Sequence, residues 1–232
     1  METGNWTVKS NWRIFDFMKE AKASKRLTAR GVATRRRIVA AAADLLLKRG
    51  VGETSLDDVM AASAASKSQL YHYFADKDAL LREAAALQAE RVLAAHAPLL
   101  EALDSLAAMR VWGDAVLALN RRTGCPLGAL VYQLPPSARR AGTVVEDGLE
   151  LWRAQIEAGL VRMQARGELA RDARPADIAL AVLSAVQGGL LLSRSAKSDR
   201  PLALAFDMAL AHVAAQLRRP AVRPLVETAR SR

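Results

Sequence analysis

Residues 54–80 read TSLDDVMAASAASKSQLYHYFADKDAL. Either Thr54 or Ser55 can cap a short helix whose Asp57 and Asp58 fall in the first turn, where unpaired amide N–H groups favour negative charge. Leu56, Val59 and Met60 supply its inward face, and Ser63-Ala64-Ala65-Ser66 makes a turn. Ser66 is then the N-cap of a second helix that turns Leu70 and Phe74 inward, and Ala75-Asp76-Lys77 breaks it. Small residues in the turn let the two helices approach closely, while Ser66, Lys67, Ser68 and Gln69 stand at the front of the second. A helix-turn-helix with short polar and basic groups there is suited to the major groove of double-stranded DNA. Tyr71, His72 and Tyr73 add hydroxyl and imidazole donors of the kind that contact phosphates, with a core or boundary aromatic as the alternative reading of Tyr71 and Tyr73. No Cys, His or carboxylate stands at metal-ligand spacing around His72, so no metal is expected.

The flanks extend the helical pattern. Upstream, Ile38, Ala42, Leu45 and Leu46 share one face of a helix that Thr34 can cap and Gly50 or Gly52 can end. Downstream, Asp78 begins a fourth, longer helix that reaches about Ala97, before Pro98. Further helices are expected over roughly 99–119, 126–134, 136–166, 175–195 and 201–218, separated by Gly and Pro. Ala and Leu dominate, β-branched residues are sparse in these runs, and no strand pattern appears. The expected fold class is all-α: a three-helix helix-turn-helix domain over 31–76, then a larger helical bundle over 77–218. Residues 1–30 read as a flexible basic extension and 219–232 as a disordered tail.

The 232 residues are 51% hydrophobic and 25% charged, long enough for a substantial core. The formal net charge is +10, concentrated at the front: residues 1–50 hold twelve Lys/Arg against four Asp/Glu, whereas 51–95 hold four against seven. A basic head points to a polyanion partner, either nucleic acid or an anionic surface. One cysteine, Cys125, cannot form an internal disulfide, and Lys9, Arg13, Asp16, Lys19 and Glu20 interrupt any leader-like apolar run. No apolar stretch approaches the length of a membrane span, so a cytoplasmic protein with no membrane partner is expected. An enzyme using Cys125 with His96 or His212 as base is disfavoured, because nothing around Cys125 resembles a nucleophile motif. No cofactor is expected.

The run Thr54-Ser55-Leu56…Ser66-Lys67-Ser68…Leu70-Tyr71-His72-Tyr73-Phe74…Asp76-Lys77…Leu80 resembles the DNA-binding signature of the tetracycline-repressor (TetR) family in order and spacing. One departure is that Ser63 or Ala64 stands where that family's turn usually has glycine. The resemblance implies a dimeric, ligand-responsive regulator, most often a repressor, that binds a palindromic operator and is released by a small-molecule effector. Carried over by position, Ser66, Lys67, Ser68 and Gln69 face base edges, and Tyr71, His72 and Lys77 clamp the backbone. Arg35 and Thr54 add phosphate contacts. In the second half, Gly124-Cys125-Pro126-Leu127-Gly128 resembles a CPxG element of one subgroup, and residues 185–192 resemble that subgroup's penultimate, self-packing helix. The expected seam comprises Gln187, Gly188, Gly189, Leu191, Phe206 and Leu210, the two glycines allowing another backbone to come close. Candidate effector contacts are Trp112, Cys125, Leu130, Gln133, Trp152 and Ile156, suited to a small hydrophobic molecule, with core filling as the alternative for both tryptophans.

Overall fold

The computed structural model describes residues 27–120, 125–134 and 138–218. The expectations for residues 1–26 and 219–232 lie outside the described residues. Nine α-helices are present among those described: α1 Ala29–Arg49, α2 Leu56–Ser63, α3 Lys67–Tyr73, α4 Lys77–Glu101, α5 Leu106–Asn120, α6 Pro126–Gln133, α7 Arg139–Ala165, α8 Pro175–Ala196 and α9 Arg200–Ala215. No named strand occurs among them; a single antiparallel bridge joins Leu169 to Leu217 and ties the end of α9 to the turn after α7.

The helix boundaries follow local chemistry. Ser55 and Ser66 each make a reciprocal capping box, with Asp58 and Gln69 respectively, and Asp76 caps α4 by accepting from the Ala79 amide at 2.7 Å. Ser55 also holds the Asp58 carboxyl below the usual carboxylate range through hydrogen bonds from its hydroxyl and amide. The expected start of α1 is corrected. Thr28, not Thr34, is its N-cap, accepting from Gly31 N at 3.2 Å, while Thr34 is buried and donates its hydroxyl to the Arg30 carbonyl. The helical unit therefore starts within the stretch read as a flexible extension. Gly50 ends α1 at φ +87°, a conformation costly to any residue with a Cβ. In the α2–α3 turn the left-handed residue is Ala64, at φ 50°.

Pro98 does not terminate α4, which runs on to Glu101. Beyond it, Arg162 of α7 donates to the carbonyls of Leu100 at 2.7 Å and Leu103 at 3.0 Å, supplying partners for acceptors at and just past the helix C-terminus. The chain then resumes as α5 only at Leu106, after Ser105 has accepted from Ala108 N.

Helix α4 is the spine, packing against α1 on one side and α5, α6 and α7 on the other. The core of the second half is aromatic. His96 stacks on Trp152 at 5.0 Å, Trp112 meets Trp152 edge-on at 6.3 Å, and Phe206 closes on Trp112 at 5.6 Å. Trp112, Trp152 and Ile156 are fully buried here, and Leu130 nearly so. Burial pushes the His96 pKa down to about 4. Helix α8 is long and apolar enough to cross a membrane by length and composition, contrary to the reading that no stretch approaches a span. Its Ile178, Val182, Val186 and Leu190 are instead buried within the bundle, with α9 and α7 as its main neighbours.

Two outcomes follow. Ala64→Gly should raise stability by about 1 kcal/mol in urea unfolding, because relief of left-handed strain exceeds the added unfolded-state entropy; no gain would contradict the turn geometry. For His96, the unfolded chain takes up a proton first as pH falls below the ordinary 6.5. Stability contributed by the neutral ring is therefore complete above that pH and is lost between 6.5 and about 4, by up to about 3 kcal/mol. His96→Phe should flatten that part of the pH–stability curve.

Candidate nucleic-acid interface and regulatory cleft

Helix α3 carries an exposed run interrupted by one inward residue. Ser66, Lys67, Ser68 and Gln69 are exposed, Leu70 is buried, Tyr71 is 52% exposed and His72 is exposed. Phe74 anchors the far end, and Tyr73 is partly buried with its hydroxyl near Gly31 of α1. Of the two readings left open for the tyrosines, Tyr73 is thus a boundary aromatic and Tyr71 a surface one. Ser66 and Gln69 spend part of their hydrogen-bonding capacity on their own capping box, Gln69 Oε1 accepting from Ser66 N at 2.9 Å. Lys67, Ser68, Tyr71 and His72 have no side-chain bond within the described structure beyond an edge contact between His72 and Tyr73.

Three expected phosphate contacts are placed otherwise. Arg35 is ion-paired with Glu83 of α4 and lies over the Phe74 ring at 5.6 Å. Thr54 is buried, its hydroxyl donating to the Gly50 carbonyl at 2.7 Å. Lys77 is an exposed residue, but its Nζ donates to the Thr54 carbonyl at 3.0 Å. Arg35 and Thr54 therefore hold the small domain together and onto α4. Arg37, which the sequence did not single out, donates to the Ser63 carbonyl at 2.6 Å and braces the turn from α1. Arg30 and Arg36, also exposed on α1, carry no ion pair among the described residues. Only their charge, shared with every neighbouring arginine, was legible beforehand.

The expected effector contacts separate into two groups. Trp112, Leu130, Trp152 and Ile156 belong to the sealed core, because large apolar side chains at helical spacing fill space as readily as they line it. Cys125 and Gln133 instead share a cleft of about 620 Å³ between α6 and α8, with Tyr132, Gln187, Leu191 and Arg194 among its walls. Cys125 caps α6: its Sγ accepts from Gly128 N at 3.4 Å, Pro126 occupies the first turn, and Gln187 Nε2 lies 3.6 Å from the sulfur. A Cβ at Gly128 would meet Gln187 Oε1 at 2.5 Å, so each part of the CPxG stretch has a packing role. Burial pushes the Cys125 thiol up, opposing thiolate formation.

The expected seam also divides. Phe206 and Leu210 are buried inside the chain, and Gly189 serves an internal approach, since a Cβ there would lie 2.8 Å from Leu202 Cα on α9. Gly188 faces open space. The exposed apolar residues on α8 and α9 are instead Leu180, Leu191 and Leu192 with Leu204 and Met208, the last two 57% and 66% exposed.

Known proteins match this architecture at both ends. Residues 38–84 match the family model described as bacterial regulatory proteins, tetR family, and residues 101–208 match the C-terminal domain of LmrA/YxaF-like transcriptional regulators. An uncharacterized HTH-type transcriptional regulator of Mycobacterium tuberculosis, Rv0196, is 29% identical over 183 residues, covering 73% of this chain and 89% of that protein. Among solved structures, a TetR-family regulator from Cytophaga hutchinsonii superposes with TM-score 0.72 at 17% identity, over 84% of this chain and all of that one. A TetR regulator from Chloroflexus aurantiacus gives 0.69 at 23% identity, over 83% of this chain and all of that one. These families and relatives are transcriptional regulators, not enzymes.

A stability cycle tests the reassignment of Arg35. Arg35→Met, which strands a largely buried Glu83, should cost about 2 kcal/mol in urea unfolding, and adding Glu83→Leu should recover most of it. A neutral Arg35→Met would return Arg35 to the surface.

Proposed function

The chain belongs to the TetR family of helix-turn-helix transcriptional regulators, and from that membership we propose that it is a ligand-responsive repressor acting as a homodimer on a palindromic operator in the cytoplasm. The observation that carries this reading is the exposed Ser66–Gln69 run with Tyr71 at the front of α3, held rigidly by two capping boxes and otherwise uncommitted. Lys67, Ser68 and the free capacity of Ser66 and Gln69 read base edges; Tyr71 and His72 contact the backbone. Arg36 and Arg30 take the phosphate role first assigned to Arg35 and Thr54, and Lys77 secures the α2 entry from behind.

Dimerisation through Leu180 and Leu192 of α8 with Leu204 and Met208 of α9 forms a four-helix seam, leaving the Gly188–Leu191 side of α8 to the cleft. It sets two copies of α3 about 34–36 Å apart, one turn of DNA. Residues 29–76 form the reading unit and 77–218 the regulatory unit. A small hydrophobic effector in the α6–α8 cleft, beside the CPxG stretch that aligns the chain with its subgroup, favours a dimer whose two α3 helices are mis-spaced. Coupling of about 1–3 kcal/mol is enough to weaken operator binding roughly 5- to 150-fold.

Selection from a random DNA pool should return an inverted repeat bound by the dimer. Lys67→Ala with Tyr71→Ala should lower its affinity by about two orders of magnitude. Leu204→Arg with Met208→Arg should yield a monomer by sedimentation that no longer selects the repeat. Recovery of no motif, or equal affinity for all sequences with a steep salt dependence, would replace the repressor reading with a non-specific DNA binder.

A further inference from the structure

Gln133, the last residue of α6, belongs to two places at once. The residue lines the α6–α8 cleft, and its Oε1 accepts the Val51 amide at 3.0 Å, 82 residues earlier in the chain. The same oxygen would meet a Cβ on Gly50 at 2.9 Å, so the amide group is pressed against the end of α1. From there the contacts continue into the reading unit. The Gly50 carbonyl accepts the Thr54 hydroxyl at 2.7 Å, and the Thr54 carbonyl accepts Lys77 Nζ at 3.0 Å. Ser55, the next residue, is the N-cap of α2.

We propose that Gln133 couples the cleft to loop 50–54, and that the cleft takes an apolar molecule bearing an acidic group. This rests on the regulator reading above and assigns the residue through which occupancy reaches the DNA-binding unit. The chemistry of the walls sets the ligand class. Leu149, Leu190 and Leu191 offer apolar surface, while Arg194 brings a cation that has no ion pair among the described residues. Gln133 Nε2 likewise has no hydrogen bond there, so the cleft holds uncommitted donors at an apolar wall, the arrangement that recognises a carboxylate or sulfonate. A ligand acid that engages Gln133 Nε2 draws the amide group into the cleft and takes Oε1 off Val51. Val51 then keeps only its buried side chain and the bond its carbonyl accepts from Thr54 N at 3.4 Å. The lost acceptor leaves a backbone N–H in need of a partner, and loop 50–54 must shift to find one. Gln133 is a positioning residue: it touches the loop that seats α2, not the DNA.

The test is hydrogen exchange of the segment containing Val51, followed by mass spectrometry on the full-length protein without DNA. 8-Anilinonaphthalene-1-sulfonate serves as the apolar acid. Val51 should be protected in the wild type, and saturating probe should accelerate its exchange about tenfold, the scale of one lost hydrogen bond. Gln133→Leu should exchange fast from the start, with no further response. Gln133→Glu keeps an acceptor for Val51 but loses the donor, so it should stay protected and ignore the probe, a separation that a merely structural role would not produce. This variant also carries the test if Gln133→Leu fails to fold. Unchanged exchange in a folded Gln133→Leu, a probe response retained by Gln133→Glu, or probe binding indifferent to Arg194→Ala would each overturn the proposal. Failure here with operator selection intact removes the coupling alone; loss of selection with these results intact removes the regulator reading alone.

Discussion

The alignment of α1 on α4 governs everything downstream of it. Gln88, buried in the middle of α4, donates to the Ala43 carbonyl of α1 at 2.8 Å, and that carbonyl is already part of a helix. Arg35 pairs with Glu83 and Asp44 with Arg91, so ten residues of α1 lie beside nine of α4. Equal rise per residue makes the two helices run nearly parallel over this stretch. Fully buried Ala43, Ala84 and Ala85 on the same two helices keep side-chain bulk low, which suits a close approach. A buried amide without its carbonyl, or a buried carboxylate without its guanidinium, would cost more than the contact supplies, so the register admits little slippage.

That register makes α4 a shared wall. Leu80, Leu81 and Ala84, toward its N-terminus, sit beside α1, and Val92, His96 and Leu100 extend into the aromatic core with α5 and α7. A helix shared by both halves of one continuous core couples their packing, because close-packed side chains leave little room for either half to shift alone. Gln133 adds a second, shorter connection between the halves, on the side of α1 where the helix ends. Together they fix how α3 is presented: α4 sets its angle to the bundle, and loop 50–54 sets the seat of α2 against it.

What was legible in the sequence divides by range. Caps, turns and helix spans were readable because their interactions close within three or four residues. Ser66 at the front of α3 is of this kind, whereas Ser55, Gly50 and Ala64 were each one of two candidates, beside Thr54, Gly52 and Ser63, and Thr34 was read as the cap that Thr28 supplies. The exposed face of α3 was readable for the same reason: helical periodicity decides which side Leu70 and Phe74 occupy, and the polar run takes the other.

The amino-acid sequence by itself determined an all-helical chain with a helix-turn-helix near 54–74, since propensity, periodicity and capping are local quantities. Only the tertiary structure decided which polar groups were free to act. Arg35 looked like any arginine of α1 until Glu83, 48 residues away, claimed it, and Thr54 looked like a cap until the Gly50 carbonyl took its hydroxyl. Phe206, Leu210 and Gly189 carry a seam-like stripe, yet α9 folds back on α8 and consumes them inside the chain, leaving Leu204 and Met208 outside. A stripe specifies that a face will be buried, and a charge that it will be neutralised or solvated. The partner that does either is chosen by which elements meet, and that depends on contacts far apart in the chain.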